Sequence, residues 1–117
     1  MGKFKRINGL KQTKIMANIT VQELKERMDK GEQLTIIDVR ETYEFEEGNI
    51  PGATNIPLAL VPLKLEDLEQ YRNEELIMQC RSGARSAAAT QVLMSNGFTN
   101  VRNLEGGILA WNALNNA

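Results

Sequence analysis

The sequence predicts an α/β fold, a three-layer sandwich in which helices cover both faces of a central parallel sheet. Short, β-branched, mostly apolar segments alternate along the chain with segments of helical periodicity, which is the pattern of a parallel sheet with helical crossovers. The chain has 117 residues, of which 42% are hydrophobic and 25% are charged. This is the size and composition of one globular domain with its own core.

The N-terminal half of the predicted domain contains two helices and two strands. Thr20 and Glu23 form a capping-box pattern that predicts a helix over residues 21–30, and Gly31 ends it. Residues 34–39 have the apolar, β-branched composition of a strand buried on both faces. After this strand we expect a short acidic helix over residues 41–47, a turn at residues 50–53 and a brief strand at residues 54–56.

The C-terminal half repeats the alternation of strand and helix. We expect a helix or helical turn over residues 63–71, strands over 76–79 and 101–104, and helices over 85–96 and 108–114. Ligands of parallel sheets bind at the carboxyl ends of the strands, where loops lead into helices. Cys80 directly follows the strand at residues 76–79, so it lies where a binding site is expected.

The composition excludes several kinds of site. The chain has no histidine and a single cysteine, so it has no internal disulfide, no Cys–His dyad and no cysteine–histidine zinc site. A lone thiol favours a reducing compartment, and we expect a cytoplasmic protein. The formal net charge of −1 gives no indication of nucleic-acid binding. No apolar segment is long enough for a signal peptide or a membrane span.

Charge is unevenly distributed between the N-terminus and the rest of the chain. Residues 1–17 contain five basic side chains and no acidic one, whereas the remaining residues contain nine basic and fifteen acidic side chains. We therefore predict a solvated or weakly ordered basic leader over residues 1–17 and a folded domain over residues 18–117. The alternative interpretations of the leader are a short targeting peptide and a patch for an acidic partner.

The strongest candidate site is the segment Cys80-Arg81-Ser82-Gly83-Ala84-Arg85-Ser86. Backbone N–H groups in a loop that leads into a helix bind anions, and the helix dipole adds positive potential. Arg81 and Arg85 bring two guanidinium charges to the same place. We therefore expect a lowered pKa for Cys80 and a nucleophilic thiolate that needs no imidazole. The alternative is a buried, inert cysteine, but a core position would not call for a glycine-containing loop between two arginines.

Two further motifs flank this loop in sequence. The first runs over residues 38–57 and contains Asp-Val-Arg-Glu at 38–41 and Gly-Asn-Ile-Pro-Gly-Ala at 48–53. The second is Leu-Glu-Gly-Gly-Ile-Leu-Ala-Trp at residues 104–111. Together with the loop, these motifs resemble the rhodanese-like sulfurtransferases over about residues 18–114. The resemblance implies a single module of this family with a five-stranded parallel sheet.

The resemblance also implies a reaction and a set of site residues. Cys80 would accept a sulfane sulfur from thiosulfate or a persulfide donor and pass it, as a persulfide, to a thiol or to cyanide. The substrate would be bound by the rest of the loop, which is Arg81, Ser82, Gly83, Ala84, Arg85 and Ser86. Asp38 and Arg40 are expected to shape the pocket. The expected partners are a small anionic sulfur donor and a thiol or protein acceptor. We expect a monomer with no cofactor, no metal, and no nucleic-acid or membrane partner.

Some interpretations stay open at this point. Asn49 stands where the family often has His, and we expect from it a local structural effect without loss of sulfur transfer. Related cysteine phosphatases and arsenate reductases have an arginine six positions after the cysteine, whereas Arg85 comes five positions after Cys80, which makes a smaller anion cradle. A persulfide carrier without turnover, or a thiol-sensing interaction module, is the other alternative. Glu44 is either an exposed helix charge or the partner of an arginine.

Overall fold

Five short strands form one sheet in the computed structural model, which describes residues 17–116. The order across the sheet is β1-β5-β4-β2-β3, and every neighbouring pair is parallel. The predicted parallel sheet is thus confirmed. The strands are β1 (Ala17–Ile19), β2 (Ile36–Asp38), β3 (Thr54–Asn55), β4 (Leu76–Gln79) and β5 (Val101–Leu104).

Helices cover both faces of this sheet. They are α1 (Val21–Asp29), α2 (Thr42–Glu47), α3 (Ala84–Ser95) and α4 (Gly107–Asn115). Alternate side chains of the central strands enter two separate apolar cores: Ile36 and Ile77 pack with α1 and α4, whereas Ile37 and Met78 pack with α3. This arrangement confirms the three-layer sandwich. No helix within residues 17–116 has the length and apolar character needed to cross a membrane.

Side-chain caps fix the starts of the first two helices. The backbone N–H of Glu23 donates to the hydroxyl oxygen of Thr20 at 3.1 Å, which satisfies one of the unpaired N–H groups at the start of α1. At α2, the capping box is reciprocal, because the backbone N–H of Glu41 donates to the Glu44 carboxylate at 2.9 Å while the Glu41 side chain accepts from the backbone of Glu44. This second cap holds the Glu44 carboxylate in a defined position.

The structure differs from the sequence predictions at two places. Residues 17–19 form the edge strand β1, which the sequence does not predict because three residues with one buried side chain are too short to show alternation. The helix or helical turn expected over residues 63–71 is not an α-helix. Within this range the chain makes a single 3-10 turn at Glu69–Tyr71. It is preceded by a 3-10 segment at Leu58–Leu63, in which Pro62 has no N–H to donate. The basic leader lies outside the described residues except for Ala17, the first residue of β1.

The register of the sheet brings three chain segments together at its carboxyl edge. Asp38 at the end of β2 lies opposite Gln79 at the end of β4, and Met78 lies opposite Asn103 of β5. The segments that follow these three strands therefore leave the sheet side by side. Cys80 lies in the middle one.

Helix α4 packs directly against the chain that follows β4. The backbone N–H groups of Ile108 and Leu109 donate to the carbonyl oxygens of Cys80 at 2.9 Å and Arg81 at 3.1 Å. This close approach requires glycine at position 107, because a Cβ atom there would collide with the same two carbonyl oxygens. The backbone of Gly107 also has φ +57°, in the left-handed region.

We predict that Gly107→Ala lowers the free energy of unfolding by about 2–4 kcal/mol, because the new methyl group adds overpacking to the strain of the left-handed backbone. Urea denaturation measures this. The matched control is Gly52→Ala, at φ +85° with no atom within 4 Å of the added Cβ, which should cost only about 1 kcal/mol of backbone strain. Equal losses of unfolding free energy in the two variants would show that the close packing of α4 against the loop does not require glycine at position 107.

Candidate active site

The Cys80 sulfur faces a ring of hydrogen-bond donors. Cys80 lies directly after β4, and its sulfur accepts from the backbone N–H of Gly83 at 3.1 Å and from the hydroxyl of Ser86 at 3.3 Å. The residue is only 1% exposed. It is therefore buried, as an inert cysteine would be, but its sulfur lies against polar donors at the start of α3.

The backbone of the loop is turned so that its carbonyls point away from the sulfur. Gly83 has φ +116°, which glycine tolerates and which turns its N–H toward Cys80. The carbonyl oxygen of Gly83 accepts from the Asn103 side-chain amide at 3.2 Å, and that of Cys80 accepts from the Gln79 amide at 2.7 Å. The Ser86 hydroxyl, 3.2 Å from the Gly83 carbonyl, has one proton to share between that oxygen and the sulfur.

Gln79 and Asn103 support the loop around Cys80, although the sequence does not single them out. Each is a buried polar side chain in a strand whose other residues are mostly apolar, and each donates to a carbonyl of this loop. A polar residue in a buried strand needs a partner, so the two positions carried a usable signal. The partner of Gln79 is the carbonyl of the next residue, whereas the partner of Asn103 lies 20 positions away and depends on how β5 pairs with β4, which the sequence does not show.

Hydrogen bonds lower the pKa of Cys80. Burial is the largest single influence and raises this pKa, but the hydrogen bonds from the Ser86 hydroxyl and from the backbone N–H groups of Ser86, Gly83 and Ser82 outweigh it. From the sequence, the charges of Arg81 and Arg85 are expected to lower this pKa as well. They are not among the main causes, so the lowered pKa rests on hydrogen bonds to the sulfur.

Arg85 forms an ion pair with Glu44. Its guanidinium donates two hydrogen bonds to the Glu44 carboxylate, at 2.7 Å and 3.0 Å. These bonds are the main cause that lowers the pKa of Glu44 to about 2. The Cys80 thiolate contributes weakly to the raised pKa of Arg85, so the guanidinium lies within range of the sulfur while Glu44 offsets its charge. Of the two interpretations of Glu44, the arginine partner is correct.

Asp38 and Arg40 form a buried ion pair behind the loop. The Arg40 guanidinium donates to the Asp38 carboxylate, with a shortest distance of 2.7 Å, and also to the carbonyl of Gly48 at 2.8 Å. The Asn55 side-chain amide donates to the carbonyl oxygens of both residues, at 3.0 Å each. Because Gly48 ends α2, this network sets where α2 lies beside the loop.

A cleft of about 310 Å³ opens between α2, the loop and α4. It is lined in part by Arg40, Glu44, Glu47, Asn49, Arg81 and Leu109. The remaining predicted loop residues, Ser82 and Ala84, are exposed. The Asn49 side-chain amide donates to the carbonyl of Phe45 at 3.0 Å, so it helps to end α2. A larger cleft of about 510 Å³, between the start of α1 and α4, contains no residue of the loop.

The site defines a class of protein. A cysteine follows a parallel strand, its sulfur accepts from backbone N–H groups, and a helix begins directly behind it, as in α/β proteins that use a thiolate nucleophile. Within residues 17–116, no group of three His, Cys, Asp or Glu side chains is arranged to hold a metal ion.

Comparisons with known proteins define the family. The sequence model of the rhodanese-like domain matches residues 20–114, and the chain belongs to this family of sulfurtransferases. It is 42% identical over 93 residues to YtwF, a putative sulfurtransferase of Bacillus subtilis, which covers 80% of this chain and 87% of that protein. It is 37% identical over 93 residues to a sulfurtransferase of Allochromatium vinosum, with 80% and 85% covered. The structure is similar to a human single-domain sulfurtransferase, at a TM-score of 0.73 and 30% identity, with 82% of this chain and 95% of that chain covered.

We predict that Ser86→Ala raises the pKa of Cys80, because the lost hydrogen bond stabilises the thiolate more than it stabilises the thiol. The rate of alkylation by iodoacetamide, measured against pH, should have its midpoint at higher pH in this variant. Ser95→Ala, at the exposed end of the same helix, is the control and should leave the midpoint unchanged. An unchanged midpoint in Ser86→Ala would mean that the hydroxyl directs its proton to the Gly83 carbonyl.

We predict that Asp38→Ala lowers the free energy of unfolding by about 3–5 kcal/mol, because it leaves the guanidinium of Arg40 buried without its counter-charge. Urea denaturation again provides the measurement. Asp29→Ala removes the acidic partner of an exposed ion pair with Lys25 and should cost less than about 1 kcal/mol. A loss of similar size in the two variants would contradict a structural role for the buried pair.

Proposed function

We propose that Cys80 transfers a sulfane sulfur from thiosulfate or a persulfide donor to a thiol acceptor, through a persulfide on its own sulfur. The observation that carries this proposal is the contact of the Cys80 sulfur with the Gly83 N–H and the Ser86 hydroxyl. These donors lower the pKa of Cys80 and so favour its thiolate, which is the species that attacks sulfur–sulfur bonds. The relatives named as sulfurtransferases support the same reaction class.

The first half-reaction forms the persulfide. The Cys80 thiolate attacks the outer sulfur of thiosulfate, a bond forms between the two sulfur atoms, and the bond between the outer sulfur and the sulfonate sulfur breaks. Sulfite leaves with the bonding electron pair. No proton moves in this step, so a chain without histidine can perform it. With a persulfide donor the leaving group is the donor's thiolate.

The second half-reaction regenerates the thiolate. The acceptor, a thiolate or cyanide, attacks the terminal sulfur of the persulfide, and Cys80 leaves with the electron pair of the broken bond. A lowered pKa makes Cys80 a better leaving group, so the same hydrogen bonds assist both halves of the cycle. The backbone N–H groups of Ser82, Gly83 and Ser86 are the donors that would hold the terminal, negatively charged sulfur.

Substrate access sets a requirement for this cycle. Because Cys80 is 1% exposed, a donor must displace side chains at the mouth of the loop before its sulfur can be attacked. The cleft beside the loop, which Arg81 lines, is the route that we propose. We further propose a monomer acting in a reducing, cytoplasmic environment without a cofactor, with a small anionic donor and a thiol or protein acceptor.

We predict that incubation with thiosulfate adds the mass of one sulfur atom to the intact protein, and that cyanide removes it. Cys80→Ser should gain nothing, while its circular dichroism spectrum and urea midpoint stay close to those of the natural chain, because the hydroxyl is nearly the same size as the thiol. Equal loading of the two proteins would overturn the assignment of Cys80. A chain that gains sulfur but shows negligible turnover with cyanide would be a carrier that needs a dedicated acceptor.

A further inference from the structure

The charges around the cleft compensate one another. Two guanidinium groups near the cleft are held in ion pairs, Arg85 with Glu44 and Arg40 with Asp38. The cleft is also lined by Arg81 and by Glu47, whose charges are opposite. The side chains that would meet a donor therefore carry no clear excess of positive charge, although the sequence of the loop suggests a strongly basic site.

We propose that Glu44 is a specificity-determining residue that disfavours doubly charged sulfur donors. Glu44 holds the Arg85 guanidinium in a bidentate ion pair. Its negative charge therefore offsets the positive charge that would otherwise attract a dianionic donor. The site then favours donors with one negative charge or none, such as a persulfide carried on a thiol. This inference rests on the proposed function, and it assigns the choice of donor to a residue outside the loop.

The Glu44 carboxylate is held firmly in its place. It accepts both hydrogen bonds of Arg85 and, at 2.9 Å, the backbone N–H of Glu41 in the capping box of α2. Its side chain is 17% exposed, and with a pKa of about 2 the carboxylate is ionised at neutral pH. The contact of Arg40 with Gly48 fixes the other end of α2. The ion pair is thus part of the folded structure and is ready before a donor binds.

The size of the effect follows from the donor's charge. A guanidinium released from Glu44 attracts a dianion twice as strongly as a monoanion at the same distance. At a separation of roughly 7 Å, with partial solvent screening, each additional donor charge corresponds to about a fivefold change in binding. The comparison of two donors that differ by one charge therefore isolates the contribution of Glu44.

The test compares thiosulfate with methanethiosulfonate, which offers the same outer sulfur on a sulfonyl group but carries one negative charge fewer. The measured quantity is the ratio of the rates at which the two donors load Cys80, followed by intact mass at fixed ionic strength. The test variant is Glu44→Gln. A glutamine oxygen can still accept the Glu41 N–H, so the start of α2 is kept.

Two further variants separate the causes. Glu46→Gln removes the same charge from the same helix, at an exposed residue that does not line the cleft, and should leave the ratio unchanged. The double variant Glu44→Gln, Arg85→Gln lacks the guanidinium, so its ratio should return to that of the natural chain.

We expect Glu44→Gln to raise the ratio of thiosulfate to methanethiosulfonate loading by about fivefold. The proposal is overturned if the ratio stays constant, if both rates fall together because the ion pair only supports the loop, or if Glu46→Gln raises the ratio equally. A natural chain that is loaded by neither donor would refute the proposed function, and this inference with it. Loading by both donors with an unchanged ratio would refute the inference alone.

Discussion

The hydrogen bonds from the loop to the Cys80 sulfur are the interaction on which the rest of the site depends. A buried thiol resists ionisation, and only donors aimed at the sulfur reverse that preference. The surrounding structure supports these donors: Gly83 supplies the backbone turn, and Gln79 and Asn103 hold the carbonyls outward. Gly107 lets α4 come close enough to hold two more carbonyls. The fold thus positions backbone dipoles, and these stabilise a charge that no imidazole assists.

The two ion pairs near the loop position helix α2 and compensate the charges of Arg40 and Arg85. The buried pair of Asp38 and Arg40 sets the position of α2, and α2 in turn carries Glu44 to Arg85. Neither pair brings a net charge to the sulfur. A loop that looks basic in sequence therefore has Arg85 compensated by an acidic partner in the structure, and the contacts made to the Cys80 sulfur are short-range hydrogen bonds. Such bonds depend on the geometry of the bound atom more than on the overall charge of a molecule.

The sequence predicts what depends on local pattern. The strands at 76–79 and 101–104 agree with β4 and β5 residue for residue, because turn residues bound both segments, and in β4 an apolar run adds a second local signal. The loop around Cys80 was found for the same reason. Arg85 and Glu44 are 41 positions apart in sequence, so their ion pair depends on how α2 packs against the loop. The sequence alone therefore does not decide whether Glu44 is a helix charge or the partner of an arginine. The role of Asn103 and the existence of the edge strand β1 depend on how the strands pair, which is likewise not local.

Hydrogen bonds from the loop lower the pKa of Cys80 and so favour its thiolate. The most direct measurement is a pH titration of the ultraviolet absorbance of the thiolate, with the Cys80→Ser chain as the background, since the protein has no second cysteine. We expect a midpoint clearly below that of an unperturbed cysteine. A midpoint at or above that of a free cysteine would mean that burial outweighs the hydrogen bonds, and the loop would then not activate Cys80.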